Sequence, residues 1–203
     1  MFETQMNSTL TGFAQLITAL ALTSLPITMK ADTATNKTLF DFQAATNSPA
    51  WEVVNDDVMG GVSTSHFQIL ADGGAIFSGV VSLENNGGFA SVRSQPVRAD
   101  LTGCDSFLLR VRGDGRRYKF SVRTEAGLDA PLYQCSFTTK QGEWDEHRLT
   151  FSGFVPTFRG RILTGVPPLN PAKVSSVGFL ISDKQAGPFR LEIGWIKASP
   201  ARR

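Results

Sequence analysis

Beyond Leu39, apolar and polar side chains alternate with a period of two along most of the chain. Phe107, Leu109 and Val111 interleave with Leu108, Arg110 and Arg112, and Tyr118, Phe120 and Val122 interleave with Lys119, Ser121 and Arg123. Each run predicts a strand with one apolar and one basic face. The Gly113-Asp114-Gly115-Arg116 stretch between them predicts the turn of a hairpin. Val177, Phe179 and Ile181 repeat the pattern, as do Phe189, Leu191, Ile193 and Trp195, with Asp183 to Pro188 connecting them. On that parity Trp195 belongs to the buried side. Ala75 to Leu83 is a short apolar run between glycine-rich turns, which predicts a strand covered on both faces. Leu149 and Phe151 share a parity after Trp144. No stretch of the body carries a helical apolar stripe, and turn clusters punctuate it throughout. Many short strands with such punctuation predict an all-β sandwich or barrel.

The first 38 residues read differently. Leu10 to Met29 is uncharged, but Thr, Ser and Gln dilute it and Pro26 interrupts it. It lacks the basic flank of a secretory signal and the Arg-rich character of a matrix presequence. Residues 1–38 are therefore expected to be a mobile or weakly helical leader and linker. The sandwich is expected over residues 39–197 and a short tail over 198–203. The matching expectation for location is cytoplasmic, at most peripheral to a membrane. Export or organellar targeting through an atypical leader is the alternative.

Composition narrows the partners. Fifteen Phe against two Tyr supply a large apolar aromatic load for a core. The net charge is +2, and residues 39–197 hold 16 basic and 16 acidic side chains. Without a basic footprint, nucleic acid is not an expected partner. The charges are segregated all the same: Leu39 to Val92 carries six acids and no Lys or Arg, whereas Arg93 to Arg123 carries eight bases and three acids. Pairing between neighbouring strands is the simplest reading. Arg110, Arg112, Lys119 and Arg123 could instead form an outward basic patch, but a solvated sheet face that also blocks edge pairing is the favoured reading.

Candidate chemistry is sparse. Neither His66 nor His147 lies in a nucleophile-elbow setting. Two cysteines, Cys104 and Cys135, make neither a disulfide framework nor a zinc motif; each reads as a small buried hydrophobe, with a single bridge left open. Asn55, Asp56 and Asp57 are adjacent oxygen donors of the kind that hold Ca²⁺ in sandwich loops, but they lack EF-hand spacing. The glycine pairs Gly60-Gly61, Gly73-Gly74 and Gly87-Gly88 lie between strands rather than before a helix, so they predict turns or close backbone approaches, not phosphate loops. No catalytic residue, metal or cofactor is expected. The distinctive feature is a pair of segments, Trp51 to Ser63 and Glu84 to Arg93, in which acids, amides and paired glycines adjoin large apolar side chains. The plainest reading has Asp56 or Asp57 capping a turn and pairing with Arg93.

WEVVNDDVMGGVS, FSGVVSLENNGGFASVRS, LLRVRGDGRRYKFSVRT and the closing stretch with DKQAGPF, in that order, resemble the complex I intermediate-associated protein 30 family. The resemblance implies a jelly-roll β-sandwich, galactose-binding-like and akin to carbohydrate-binding modules. It also implies a non-catalytic assembly factor. The partner would be a protein client, a subunit or intermediate of a membrane-bound respiratory complex (or a photosynthetic one). Matching motif positions are Asn55, Asp56, Val58, Met59, Gly60, Gly61, Gly87, Gly88 and Phe89, with Arg93. Asp57 departs from the family pattern, in which glycine is frequent at that place. Together with Asp57, these positions (Val58 apart) form the expected partner surface. Phe158, Arg159 and Arg161 are added from the FSGFVPTFRGR segment, where three phenylalanines stand among small and basic residues. Phe154 of that segment is a further candidate anchor. A carbohydrate- or small-ligand-binding module is the alternative. It requires an exposed Trp51 or Trp144 beside polar groups.

Overall fold

The computed structural model describes Met1 and residues 35–43, 50–97, 99–125 and 130–201. The expected leader lies almost wholly outside them. Thirteen strands follow in order: β1 (Lys37–Asp41), β2 (Trp51–Asn55), β3 (Thr64–Ile69), β4 (Ala75–Val81), β5 (Ala90–Ser94), β6 (Cys104–Arg112), β7 (Arg117–Arg123), β8 (Leu132–Thr138), β9 (Trp144–Thr150), β10 (Val155–Phe158), β11 (Arg161–Ile162), β12 (Ser176–Ile181) and β13 (Gly187–Pro200). They build two antiparallel sheets. One runs β3-β4-β13-β6-β9, with β1 also on β13; the other runs β11-β10-β8-β7-β12-β5-β2. This is the expected β-sandwich.

The inward faces meet in one apolar layer. Phe77, Phe107, Leu109, Leu191 and Ile193 from the first sheet face Phe120, Val122, Phe179 and Ile181 from the second, all essentially without solvent contact. Phe107 meets Phe120 at 5.1 Å between ring centroids, and Phe120 meets Phe179 at 5.3 Å. Burying each phenylalanine contributes roughly 1.5–3 kcal/mol, so the phenylalanine load is what joins the sheets.

Several expectations change. The strands read as a hairpin are β6 and β7, and they belong to different sheets: β6 pairs with β13 and β9, β7 with β12 and β8. Gly113 to Arg116 arches across the sandwich instead of reversing within a sheet. The basic patch divides with it. Arg110 and Arg112 are on the outer face of one sheet, Lys119 and Arg123 on that of the other. β4 is covered on one side only, with Val80 47% exposed. Trp195 is not core. The β13–β6 register slips between Ile193 and Trp195, so Gly194 takes up an extra position and parity inverts beyond it. Trp195 therefore faces outward, with Lys197 Nζ 4.3 Å from its ring centre, while Ile196 turns in. Phe154 is core, 5% exposed, so it offers nothing to a partner. Cys104 and Cys135 are free thiols on opposite sheets.

Register also fixes which loops share an end. Asn55 and Ile181 both pair with Ala90, Lys119 pairs with Leu180, Thr138 with Arg117, and Trp144 with Arg112. Five sheet-to-sheet crossings thus converge at one end: residues 56–63, 82–89, 113–116, 139–143 and 182–186. Three of them are stitched together. Asp114 accepts from Arg116 N, Arg190 N and the Tyr118 hydroxyl (3.0 Å), Thr139 Oγ donates to Arg116 O, and Arg116 Nη1 donates to Gln185 O at 2.7 Å. Tyr118 is fully buried, so Asp114→Ala strands its hydroxyl. Asp114→Ala should lower stability by about 2 kcal/mol in urea denaturation. Tyr118→Phe should cost less, and the double variant less than the sum.

Candidate functional site

The other two crossings carry the motif segments. After Asn55, the chain turns through a short 3-10 segment (Asp56–Met59) and re-enters β3 beyond Ser63. After β4 it turns through Glu84–Asn86 and re-enters β5 at Ala90. Asp56 is fully buried between these loops. Its Oδ1 accepts from Ser63 N at 2.9 Å. Its Oδ2 accepts from Ser63 Oγ at 2.5 Å, Gly88 N at 2.6 Å and Phe89 N at 3.2 Å. Its carbonyl accepts from Gly61 N at 2.9 Å. Ser63 Oγ also accepts from Ser82 N at 3.0 Å. One carboxylate thus replaces solvent for backbone amides of both loops, which a sheet-crossing backbone would otherwise leave unpaired.

The paired glycines follow from this. A Cβ on Gly61 would lie 2.4 Å from the Asp56 carboxyl carbon, and one on Gly87 would lie 2.6 Å from Oδ2. The backbone must come that close for the amides to reach the carboxylate. Burial pushes the Asp56 carboxyl up. The hydrogen bonds from Ser63, Gly88 and Phe89 outweigh it and hold the group below its ordinary 3.8.

The remaining expected positions are spread out. Asn55 Oδ1 accepts from Ser65 Oγ at 2.6 Å, tying β2 to β3. Asp57 is exposed, and its carbonyl accepts from Gly60 N; its backbone is not left-handed, so nothing local demands glycine there. Arg93 does not pair with Asp56 or Asp57. It faces Glu52 directly across β2 and β5 and bonds it at 2.8 Å. Met59 is 62% exposed, and Val58, Val62 and Leu83 are exposed beside it on the same two loops. Phe158, Arg159 and Arg161 lie elsewhere, on the β10–β11 hairpin at the sheet edge and toward the opposite end of β8, with the Arg159 guanidinium 5.2 Å over the Phe158 ring. The expected positions therefore lie in two separate places, and Asp56, fully buried, cannot itself face a partner. Ser63, Val62 and Leu83 were not singled out from the sequence; apolar residues flanking glycine pairs outside any alternating run were the available signal.

The profile of the family described as complex I intermediate-associated protein 30 matches residues 40–193. This chain belongs to that family. "Complex I intermediate-associated protein 30, mitochondrial" of Drosophila melanogaster is 31% identical over 182 residues, covering 78% of this chain and 61% of that protein. The Mus musculus protein of the same name is 28% identical over 180 residues, covering 79% and 55%. The chain thus spans about three fifths or less of these relatives. Among solved structures, the family 11 carbohydrate-binding module of a Clostridium thermocellum cellulase superposes with a TM-score of 0.61 at 16% identity, covering 83% of this chain and 96% of the module. An agarase, AgWH50C, gives 0.57 at 11% identity over 82% of this chain and 25% of its own. At such identity these share the fold.

In this complex I intermediate-associated protein 30 family member, the residues suited to other chemistry are otherwise engaged. Trp51 packs among Phe40, Phe42, Phe67 and Phe179. Trp144 is 38% exposed, and its ring lies beside the Arg110 and Arg112 guanidinium groups, 5.4 and 5.1 Å from its centre. His147 packs against Phe137 with the rings tilted by 47° and their centroids 5.0 Å apart; its buried Nε2 makes no hydrogen bond and lies 3.9 Å from Asp145 Oδ2. Burial pulls the His147 pKa below 6.5; Asp145 opposes that and Lys140 adds to it.

Asp56→Asn turns an amide N–H toward donors already aimed at the carboxylate, and should cost about 3 kcal/mol by denaturant melt. Because the folded pKa lies below the unfolded value, Asp56 stabilises above pH 3.8, and that contribution is lost as pH falls through the folded pKa. Asp56→Asn should therefore flatten the acid limb of the stability profile. Gly61→Ala should cost about 1–3 kcal/mol through overpacking. His147 titrates in a different window. The unfolded chain takes up its proton first, so stability falls as pH drops below 6.5, and His147→Phe should remove that slope.

Proposed function

We propose that this chain is a non-catalytic, protein-binding assembly factor that associates with intermediates of complex I. The observation carrying this reading is membership of a family whose similar members bear that association in their names. The site supports it in kind. Its acid-and-glycine motifs are spent on fixing two loops, and the side chains the loops present outward are apolar, as at a docking surface. The motif end, with Asp57, Met59, Gly60 and the part-exposed Gly87, Gly88 and Phe89, is one contact surface, to which the buried Asp56 and Gly61 contribute only by fixing the loops. The Phe158–Arg159–Arg161 corner is a second, offering an aromatic and arginines of the kind that dominate interface energy. The mitochondrial relatives favour the organellar alternative for location, and the cytoplasmic expectation draws no support from them.

A carbohydrate-binding reading keeps one supporting observation, the part-exposed Trp144. Its ring is already engaged by two arginines, which compete with a sugar for its face.

Tagged chain expressed in cells deleted for their own copy should co-migrate on native gels with complex I intermediates smaller than the finished enzyme. It should also restore the finished enzyme. Phe158→Ala with Arg159→Ala should lower recovery of those intermediates about tenfold, the loss of one interface anchor. Normal complex I in the deleted cells, with no co-migration, would overturn the reading.

A further inference from the structure

Five of the large apolar side chains exposed among the described residues belong to one neighbourhood: Val58 (68%), Met59 (62%) and Val62 (46%) on the β2–β3 crossing, Leu83 (45%) on the β4–β5 crossing and Val80 (47%) near the end of β4. Both crossings are fixed by the same buried carboxylate and by Ser63, so the tip keeps its shape without a partner. Gly88 leaves room for Leu83: a Cβ there would lie 3.2 Å from its Cδ2.

Apart from the buried Asp56, the charged side chains carried by the two tip loops themselves are both acidic. Asp57 and Glu84 are exposed within the two loops, and neither takes part in an ion pair among the described residues. The stretch that builds both loops, Leu39 to Val92, contains no Lys or Arg. At the same end of the sandwich, Arg116 is paired with Asp114, Arg117 and Lys119 with Asp183, and Lys140 with Asp145, whereas Lys184 on the 182–186 crossing is exposed and in no ion pair among the described residues. The tip is therefore an apolar knob whose own two exposed charges, Asp57 and Glu84, are acidic and in no ion pair among the described residues.

From this geometry we infer that the Val58–Met59–Val62–Leu83 tip docks an apolar protein segment flanked by Lys or Arg. The inference rests on the protein-binding reading above and names the partner's chemistry at that surface. Apolar side chains of the segment cover the knob, and its flanking cations meet Asp57 and Glu84. A bilayer fits less well, because anionic headgroups repel both acids. The rigid loops lose little freedom on docking, so a small patch suffices for transient binding.

The probes are two synthetic peptides with the same Leu- and Phe-containing centre, one flanked by Lys and one by Glu, added to the full chain with methyl-labelled Met, Val and Leu. The Lys-flanked peptide should shift the methyl signals of Met59, Val62 and Leu83 and bind about tenfold tighter than the Glu-flanked one, with the gap narrowing at high salt. Asp57→Lys with Glu84→Lys, both at exposed positions, should reverse the preference. Met59→Ser with Leu83→Ser should weaken both peptides. Equal binding of the two peptides, shifts confined to other surfaces, or tip signals broadened by phosphatidylcholine or phosphatidylserine vesicles instead of by peptide would each overturn the inference. Co-migration with complex I intermediates alongside failure of the peptides would sink this inference and leave the assembly reading standing. Loss of co-migration would sink the assembly reading whatever the peptides do.

Discussion

A single buried carboxylate shapes the distinctive end of this sandwich. Crossing from one sheet to the other takes the backbone out of ladder pairing, and at the two motif crossings the amides of Ser63, Gly88 and Phe89 would face the interior without partners. Asp56 accepts from all of them while fully buried. A buried charge is tolerable only when it is this fully hydrogen-bonded, and the bonds from Ser63, Gly88 and Phe89 hold the Asp56 carboxyl below its ordinary pKa against the upward push of burial. The glycines at 61 and 87 are then steric requirements of the clamp: the amides reach the carboxylate only if no side chain stands between.

The proposed binding role sits on top of this arrangement. The clamp consumes the Asp56 carboxylate and the Ser63 hydroxyl, and it leaves the side chains of Val58, Met59, Val62, Leu83, Asp57 and Glu84 exposed. At the three neighbouring crossings Asp114, Thr139 and Arg116 share this role, so all five loops at this end are fixed by side chain-to-backbone bonds. In the proposed assembly role, preformed loops of this kind would suit a partner that must later be released.

The strands were legible because alternation records which side chains are buried, and the heavy phenylalanine content foretold the layer between the sheets. Sheet membership was not legible. Gly113 to Arg116 serves as an arch in this fold and would serve equally well as a hairpin turn, and nothing local distinguishes them. Trp195 was misplaced because Gly194 absorbs one residue in a bulge; an isolated glycine inside a strand was the only warning. At the site, the acid and glycine clusters stood out from their neighbours, as did their role as turns and close approaches. Which acid clamps, and that Arg93 answers Glu52 and not Asp56, depend on register between segments some 30–40 residues apart, which composition does not carry.

Amide hydrogen exchange at Ser63, Gly88 and Phe89 measures the clamp most directly. If Asp56 holds both crossings, these loop amides exchange only when the whole sandwich opens, as slowly as the amides of Phe120 and Leu191 in the central strands. Fast exchange at these three positions, with the central strands still protected, would contradict the account.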